Sequence, residues 1–320
     1  MRQLLKSRLF WAGVIIRLIL MSFWKSYEPL KLTLFFADIF LLWGLIKVRG
    51  EKREVLTLLY WFNPIIIYFT YVDVRFDLLA VAPCFFSLVL LTQQKIKISA
   101  ALMAGAVLSS VSVFFLIPFV ILYVVRQGSN KQSVHTAVVW FFTWLVFCSA
   151  GFLSLYSLGY LPEVAASSKE LLRAFTVDLN LGGGHVLYLG LAVALLVLGR
   201  LCLSPRVSDE GLIYGSGVIL GGLLVGTNAL PQWYFWVIPF FCLFFALQSK
   251  PTKLLLVAFN CFYFVNFLVI PHFNQSFVTA NAGIVFTLLQ TSMVGILLVM
   301  WKVVLSQENF LDTRQFVVKI

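Results

Sequence analysis

Charged residues are scarce in this chain, and acidic residues are the scarcest. Only 12% of the 320 residues are charged and 13 are Asp or Glu, whereas 61% are hydrophobic. Soluble domains are about half apolar and about a quarter charged, so the composition excludes a separate soluble domain. The three histidines are far apart and no HxxxH or HExxH spacing appears, so we assign no metal ligands. The five cysteines all lie inside apolar runs without a CxxC pair, which favours packing thiols over disulfides.

Apolar runs of about 18 residues recur along the whole chain, which is the length that a membrane-spanning helix requires. They predict an all-α, multi-pass integral membrane protein that forms a single transmembrane domain over residues 1–320. We expect about twelve transmembrane helices, with a range of 10 to 13. The predicted segments are 9–24, 30–47, 55–72, 76–93, 96–110, 112–126, 135–157, 186–203, 212–228, 234–249, 254–271 and 284–303. The division within 96–126 depends on a turn at Ser109–Ser112.

The distribution of the 24 Lys and Arg residues gives the orientation of these segments. Most of them fall in alternate loops, and the positive-inside rule then predicts that both termini are cytoplasmic. The formal net charge of +11 therefore belongs to inner loops that meet anionic membrane lipid, and nucleic acid is excluded as a partner. No small-residue cleavage site follows the first apolar run, so we expect a retained anchor rather than a signal peptide.

Irregular polar sequence collects in the predicted outer loops. The longest of these loops covers about residues 158–185, and within it residues 162–176 resemble a short helix lying in the membrane interface. The loop ends in Gly182-Gly183-Gly184-His185, where backbone amides and His185 could bind a phosphate, although a glycine run is more often a flexible connector.

The stretch from Tyr60 to Leu91 is the most informative. Pro64 removes a backbone donor and biases Asn63 away from helix, so the helix should be kinked or broken there. The apolar run is then followed by a polar turn that holds Asp73, Arg75 and Asp77. Charges are costly next to hydrocarbon unless they are paired, hydrated or functional.

Several short motifs follow one another in an order that resembles the GT-C superfamily of polytopic glycosyltransferases, including the GPI mannosyltransferase-like and bacterial polyprenol-sugar-dependent branches. They are Phe36-Ala37-Asp38-Ile39 within the second span, residues 61–68 around Asn63-Pro64, the pair Phe76-Asp77, the proline-bearing run at Pro118-Phe119, and Leu230–Trp236 with Pro239. The resemblance implies a GT-C-like helical bundle. It also implies sugar transfer from a lipid-phosphate donor at the outer face, where a metal sometimes assists.

Three signatures of the superfamily differ in this chain. The first outer loop is short with Glu28 as its only acid, Val74-Arg75 replaces a Gly-Gln pair, and no lysine precedes Pro118-Phe119. These differences motivate an alternative in which the chain is a catalytically degenerate scaffold subunit with a membrane-protein partner, or a lipid or saccharide transporter.

The candidate site residues have functional and structural interpretations. Asp77, Asp73 and Glu28 are candidate catalytic carboxylates, whereas each could instead form a local ion pair. Arg17 could approach a lipid phosphate, but it and Asp38 are the only charges deep within spans, so mutual pairing is attractive. The candidate substrate-binding residues are Arg75, Asn63, Gln232, Trp233, Tyr234, His185 and Arg17. The aromatic members could equally belong to the interfacial belt.

The function expected from these features is a glycosyltransferase that moves a mannose-like hexose or a pentose from a polyprenyl-phosphate donor. The acceptor is an envelope glycan, a lipid or a protein at the outer membrane face. The lipid-linked sugar is the donor substrate, and a divalent metal could assist. We favour a bacterial inner membrane over an organelle membrane.

Overall fold

The computed structural model describes residues 7–22, 28–127, 130–157, 178–182, 185–203, 207–225, 231–248, 250–266 and 275–307. The chain divides into two compact units. Unit 1 comprises residues 1–78 and 230–299, and unit 2 comprises residues 79–229 and 300–320.

Unit 1 contains the N-terminal helices and most of the C-terminal ones. In chain order these are α1 Arg8–Ser22, α2 Glu28–Val48, a 3-10 turn Gly50–Lys52, α3 Arg53–Leu56, α4 Pro64–Ile67, a 3-10 segment Pro231–Trp236, α11 Ile238–Leu247, α12 Lys250–Phe264 and α13 Gln275–Gln307, whose last residues belong to unit 2. The helices α3 and α4 each continue into a π-helical segment, Thr57–Trp61 and Tyr68–Val72 respectively. The core of unit 1 is rich in aromatic residues, and it includes Tyr60, Trp61, Tyr234 and Phe241, none of which is exposed.

The predicted break at Asn63-Pro64 is confirmed. The helical segments Gly50–Trp61 and Pro64–Val72 are bent by 53° at this point. Asn63 has an extended backbone and its side-chain oxygen accepts a hydrogen bond from the amide of Ile65 at 3.0 Å, so it acts as the N-cap of α4. Pro64 stands at the first position of α4, where its missing N–H costs nothing.

Unit 2 contains the middle of the chain. Its helices are α5 Asp77–Thr92, whose first two residues belong to unit 1, α6 Ile96–Ser109, a 3-10 segment Val111–Leu116, α7 Ile117–Arg126, α8 Asn130–Ser157, α9 Leu189–Leu203 and α10 Asp209–Val225. The turn predicted at Ser109–Ser112 is confirmed, because Ser110 is extended and ends α6. The all-α fold class is confirmed for the described residues, which also include one short hairpin in which β1 Asp178–Gly182 pairs antiparallel with β2 His185–Tyr188.

The prediction of about twelve transmembrane helices, and with it the expected twelve-helix GT-C-like bundle, is wrong. Within the described ranges, two helices are long and apolar enough to cross a membrane, namely Gln132–Ser157 with 26 residues and Gly283–Leu305 with 23. There are three if the bent pair Gly50–Trp61 and Pro64–Val72 forms one span. These helices are compatible with membrane association of the chain.

The overestimate has three physical causes. Many apolar runs form helices that are too short, because 15 residues rise only about 22 Å while the hydrocarbon core is about 30 Å thick. The 21-residue helix α2 is long enough, but it carries Lys31, Asp38 and Lys47. Helices α10 and α11 are instead buried inside the protein on all sides, from Gly211 to Leu224 and from Ile238 to Ala246. Hydropathy alone cannot distinguish burial in protein from burial in lipid.

The predicted interfacial helix at 162–176 lies outside the described residues. The prediction of a single transmembrane domain, like the orientation of the termini, stays a prediction.

Candidate functional site

The broken helix of unit 1 organises two groups of polar side chains. One group is fully buried and consists of Arg17, Asp38, Tyr60 and Tyr71, which we call the buried polar network. The other consists of Asp73, Asp77, Tyr234, Trp236 and Tyr263, which we call the carboxylate–aromatic cluster.

The buried polar network forms around one carboxylate. The Oδ2 atom of Asp38 accepts a hydrogen bond from Nε of Arg17 at 2.7 Å and another from the hydroxyl of Tyr71 at 2.7 Å. The Oδ1 atom of Asp38 accepts from the hydroxyl of Tyr60 at 2.7 Å. Neither charged side chain is exposed, so the ion pair predicted between the first two helices is confirmed.

The helix break supplies one further partner for Arg17. In an uninterrupted α-helix the amide of Ile65 would donate to the carbonyl of Trp61, but here it donates to the side chain of Asn63. The Trp61 carbonyl accepts instead from Nη1 of Arg17 at 2.8 Å. The guanidinium also lies 3.6 Å from the centroid of the Trp61 ring, in a cation–π arrangement. Arg17 is thus held on three sides, and it is a structural component of unit 1.

Asn63, a predicted substrate-binding residue, is 2% exposed. Besides capping α4, it donates from Nδ2 to Oδ1 of Asn260 at 3.3 Å. Its polar atoms therefore connect the helix break to α12.

The carboxylate–aromatic cluster lies where α4 ends and α5 begins. The backbone of Val74 has a positive φ of 50°, while the amides of Asp73 and Arg75 donate back to the carbonyls of Tyr68 and Phe69. Val74 is thus a single left-handed residue just after the π-helical end of this segment, and a β-branched side chain in that conformation is strained. The turn projects Asp73, Arg75 and Asp77 within five residues of one another.

Asp73 and Arg75 form an ion pair, with 2.7 Å between Oδ2 and Nε. The Arg75 side chain is 47% exposed and that of Asp73 is 32% exposed, so the pair adds little to stability. The other N–H groups of Arg75 have no partner within the described part of the chain. Arg75 can therefore hold an anion while it stays paired with Asp73.

Asp77 contacts the segment that follows Leu230. The indole N–H of Trp236 donates to Oδ1 of Asp77 at 3.2 Å. Tyr234 in the same 3-10 segment is fully buried, and its ring lies 5.5 Å from that of Tyr263. The structure thus brings together the first motif block, around Asp77, and the late block, around Trp236.

Tyr263 lies close enough to both carboxylates of this cluster to feel their charge. Burial raises the pKa of the Tyr263 hydroxyl above its ordinary value, and nearby Tyr234, Tyr68, Asp73 and Asp77 raise it further. The hydroxyl therefore stays protonated and remains a hydrogen-bond donor at neutral pH.

Three of the predicted site residues have side chains outside the described part of the structure. They are Glu28, which begins α2, Gln232, in the 3-10 segment, and His185, whose backbone pairs with Gly182 in the hairpin. Trp233 is 9% exposed. No group of three His, Cys, Asp or Glu residues that could hold a metal ion occurs among the described residues.

Sequence reasoning missed Tyr60, Tyr71, Trp236, Tyr263 and Gln290. The Nε2 atom of Gln290 donates to the hydroxyl of Tyr234 at 2.7 Å, and its buried Oε1 atom has no partner among the described residues. Gln290 interrupts the apolar pattern of α13, which was an available signal. The tyrosines and Trp236 could not be singled out, because aromatic residues are common throughout the chain and 16% of its residues are Phe, Trp or Tyr.

Comparisons of the chain with protein-family models, with curated proteins and with solved structures give no match.

Proposed function

We propose that this chain is a membrane-integrated glycosyltransferase, related to the GT-C enzymes in its site motifs, that uses a polyprenyl-phosphate sugar as donor. The sugar is a mannose-like hexose or a pentose, and the acceptor is an envelope glycan, a lipid or a protein. The reaction takes place at the outer face of a bacterial inner membrane. The observation that carries the proposal is the contact between Asp77 and Trp236, which places a carboxylate against the aromatic segment Pro231–Trp236.

A carboxylate beside aromatic side chains suits sugar chemistry. The apolar faces of sugar rings pack against aromatic rings, while carboxylate and amide oxygens accept hydrogen bonds from sugar hydroxyls. The buried Oε1 atom of Gln290, next to Tyr234, is an acceptor of this kind, because it has no partner in the described part of the chain. A sugar hydroxyl would satisfy it.

In the proposed reaction, Asp77 is the general base. Its carboxylate takes the proton of the acceptor hydroxyl, whose oxygen forms a bond to the anomeric carbon of the donor sugar. The bond between that carbon and the phosphate oxygen breaks, and the electron pair leaves with polyprenyl phosphate. The N–H group of Trp236 fixes the orientation of the carboxylate, and a carboxylate can accept further hydrogen bonds beyond this one.

Arg75 is suited to the leaving phosphate. Its guanidinium is half-exposed, and only Nε is used in the contact with Asp73. The remaining N–H groups form a fork that matches phosphate oxygens. Asp73 is then a positioning residue, because it restricts the orientation of Arg75.

The proposal is tested by a set of three variants, Asp77→Asn, Arg75→Gln and Glu54→Gln. The last is the matched control, since Glu54 is an exposed acid in α3 that lies outside the cluster. Purified protein in liposomes is supplied with polyprenyl-phosphate mannose or polyprenyl-phosphate arabinose and with an envelope lipid extract as acceptor, and release of polyprenyl phosphate is measured. Loss of a general base lowers rates by about 10²–10⁴-fold, so we expect Asp77→Asn to lose at least about 100-fold. Arg75→Gln should lose activity as well, and Glu54→Gln should retain it.

A non-enzymatic scaffold subunit is the second candidate. The ion pair between Asp73 and Arg75 favours it, because an exposed local pair of this kind also occurs in turns that bind nothing. Wild-type protein that releases no polyprenyl phosphate from either donor, yet co-purifies with one membrane protein at a fixed ratio, would support this candidate over the enzyme.

A further inference from the structure

A cavity of about 250 Å³ lies within unit 2, remote in sequence from the carboxylate–aromatic cluster. It is formed where α5 ends, α6 begins, α7 ends and α8 begins. The lining residues are Leu91, Gln94, Ile96, Tyr123, Val124, Gln127, Gln132, Ser133 and Thr136. Typical pockets for drug-sized ligands begin at about 300 Å³, so this cavity suits a smaller molecule.

The lining is polar but uncharged. Six of the nine lining side chains carry an amide or a hydroxyl group, and the other three are aliphatic. No lining residue is a carboxylate, imidazole, thiolate, ammonium or guanidinium group, so the wall offers neither a counter-charge for an anion nor preferred ligands for a metal ion.

The wall is held in place from behind by Asp209, at the first position of α10. The hydroxyl of Tyr123 donates to Oδ1 of Asp209 at 2.5 Å, and Tyr123 is only 1% exposed. The Nε2 atom of Gln127 donates to the same oxygen at 3.3 Å and to the carbonyl of Val207 at 3.2 Å. The carboxylate behind these two side chains disfavours an anion in the cavity.

The side-chain amides around the cavity include donors and acceptors that no described residue uses. Because the Nε2 atom of Gln127 is committed to Asp209 and Val207, its Oε1 atom remains as an acceptor without a partner in the described ranges. The side-chain amides of Gln94 and Gln132 likewise make no hydrogen bond to any described residue. Gln94 is also held with a positive φ of 59°, a conformation that glycine adopts more easily.

We infer that this cavity binds a small, neutral, polyhydroxylated molecule the size of a monosaccharide or a cyclic polyol. The side-chain amides supply both donors and acceptors, as a ring of hydroxyl groups requires, and the Thr136 hydroxyl, which donates to the Gln132 carbonyl, can still accept. The aliphatic side chains of Leu91, Ile96 and Val124 cover its apolar face. This site is separate from the proposed transferase site and does not depend on that function.

The test uses the purified full-length chain in detergent micelles and saturation-transfer NMR. Glucose, N-acetylglucosamine and myo-inositol are the neutral probes, and inorganic phosphate, followed by ³¹P relaxation, is the anionic one. We expect saturation transfer to at least one neutral probe and no binding of phosphate.

Two variants remove lining amides with little risk to the fold. Gln94→Gly relieves the positive φ, and Gln132→Leu alters an exposed residue in the first turns of α8. Loss of one neutral hydrogen bond of about 1 kcal/mol corresponds to about fivefold in affinity, so each variant should raise the Kd of the bound probe by about that factor. The matched control is Gln93→Ala, next to Gln94 but outside the lining, which should bind as the wild type does.

The inference is overturned if none of the three neutral probes receives saturation from the wild-type protein. It is also overturned if both lining variants bind as tightly as Gln93→Ala. Binding of phosphate that is weakened by Gln94→Gly would identify an anion site and refute the neutral class. Thermal unfolding of each variant shows whether the fold is retained. If Gln94→Gly is unfolded, the Kd measured with Gln132→Leu is compared with that of Gln93→Ala and decides the test.

Discussion

Removing the carboxylate of Asp38 should destabilise unit 1 more than any surface change. In the variant Asp38→Leu, the guanidinium of Arg17 stays buried without its counter-ion, a situation that costs about 3–5 kcal/mol in other proteins. The hydroxyls of Tyr60 and Tyr71 also lose the acceptor that they now reach at 2.7 Å, at about 1–3 kcal/mol for each unsatisfied group. These terms are not additive, so we expect a total loss of at least about 4 kcal/mol.

Removing the whole network should be far less harmful. The fourfold variant Arg17→Met, Asp38→Leu, Tyr60→Phe, Tyr71→Phe leaves no buried charge and no unsatisfied hydroxyl at these positions. The carbonyl of Trp61 loses its donor, at a cost of about 1–3 kcal/mol, and the carbonyl of Gly13 loses a longer hydrogen bond of 3.3 Å. The fourfold variant should therefore lie within about 2–3 kcal/mol of the wild type, although it carries three more substitutions than Asp38→Leu.

The assay is equilibrium unfolding of purified protein in mixed micelles titrated with a denaturing detergent, followed by tryptophan fluorescence. The control is Glu51→Gln, an exposed acid in the 3-10 turn before α3. The reasoning is refuted if Asp38→Leu loses less than about 1 kcal/mol. It is also refuted if the fourfold variant is less stable than Asp38→Leu, since the loss would then reflect packing rather than an unpaired charge.

Three further predictions concern single positions. A Cβ at Gly13 would lie 1.8 Å from the indole of Trp61, so Gly13→Ala should lower the unfolding midpoint. A Cβ at Gly295 would meet no atom within 4 Å, so Gly295→Ala should leave the midpoint unchanged or raise it. Equal changes of the midpoint in the two variants would contradict the close packing of Gly13 against Trp61. Val74→Gly removes a left-handed β-branched residue and should stabilise the protein by up to about 1 kcal/mol in the same unfolding assay, and a loss of stability would rule out strain there. Burial raises the pKa of Asp209 in spite of its hydrogen bonds, so the folded state binds a proton more readily than the unfolded state between the ordinary and the raised pKa. The stability of the wild type relative to Asp209→Asn should therefore fall as pH rises through that window, as measured by unfolding midpoints against pH. A wild type that becomes more stable relative to the variant as pH rises would contradict this prediction.

The features that could be predicted from the sequence are those that local chemistry dictates. Pro64 cannot continue a helix, so the break could be predicted, and the 53° bend lies where the helical backbone hydrogen bonds of Pro64 and Ile65 are absent. Arg17 and Asp38 were the only charges deep in apolar runs, and burial requires such charges to pair. The turn at Ser110 followed from the polar residues around it.

The features that could not be predicted depend on tertiary structure. Helices such as α10 and α11 are apolar because protein surrounds them. A helix that faces lipid has the same apolar composition, so the sequence does not distinguish the two. The contact between Asp77 and Trp236 joins residues from distant parts of the sequence. The β-hairpin could have been predicted from the sequence, because two glycines stand between its strands and such a pair is typical of a hairpin turn.

The most direct test of the proposed function is cleavage of the donor by the wild-type chain in a defined bilayer. Purified protein is reconstituted with polyprenyl-phosphate mannose or polyprenyl-phosphate arabinose and an envelope lipid extract as acceptor, and polyprenyl phosphate is quantified by mass spectrometry. We predict repeated turnover by the wild type with at least one donor and none above background with Asp77→Asn. Equal release from both proteins, or none from the wild type with either donor, would contradict the role of the carboxylate–aromatic cluster in sugar transfer.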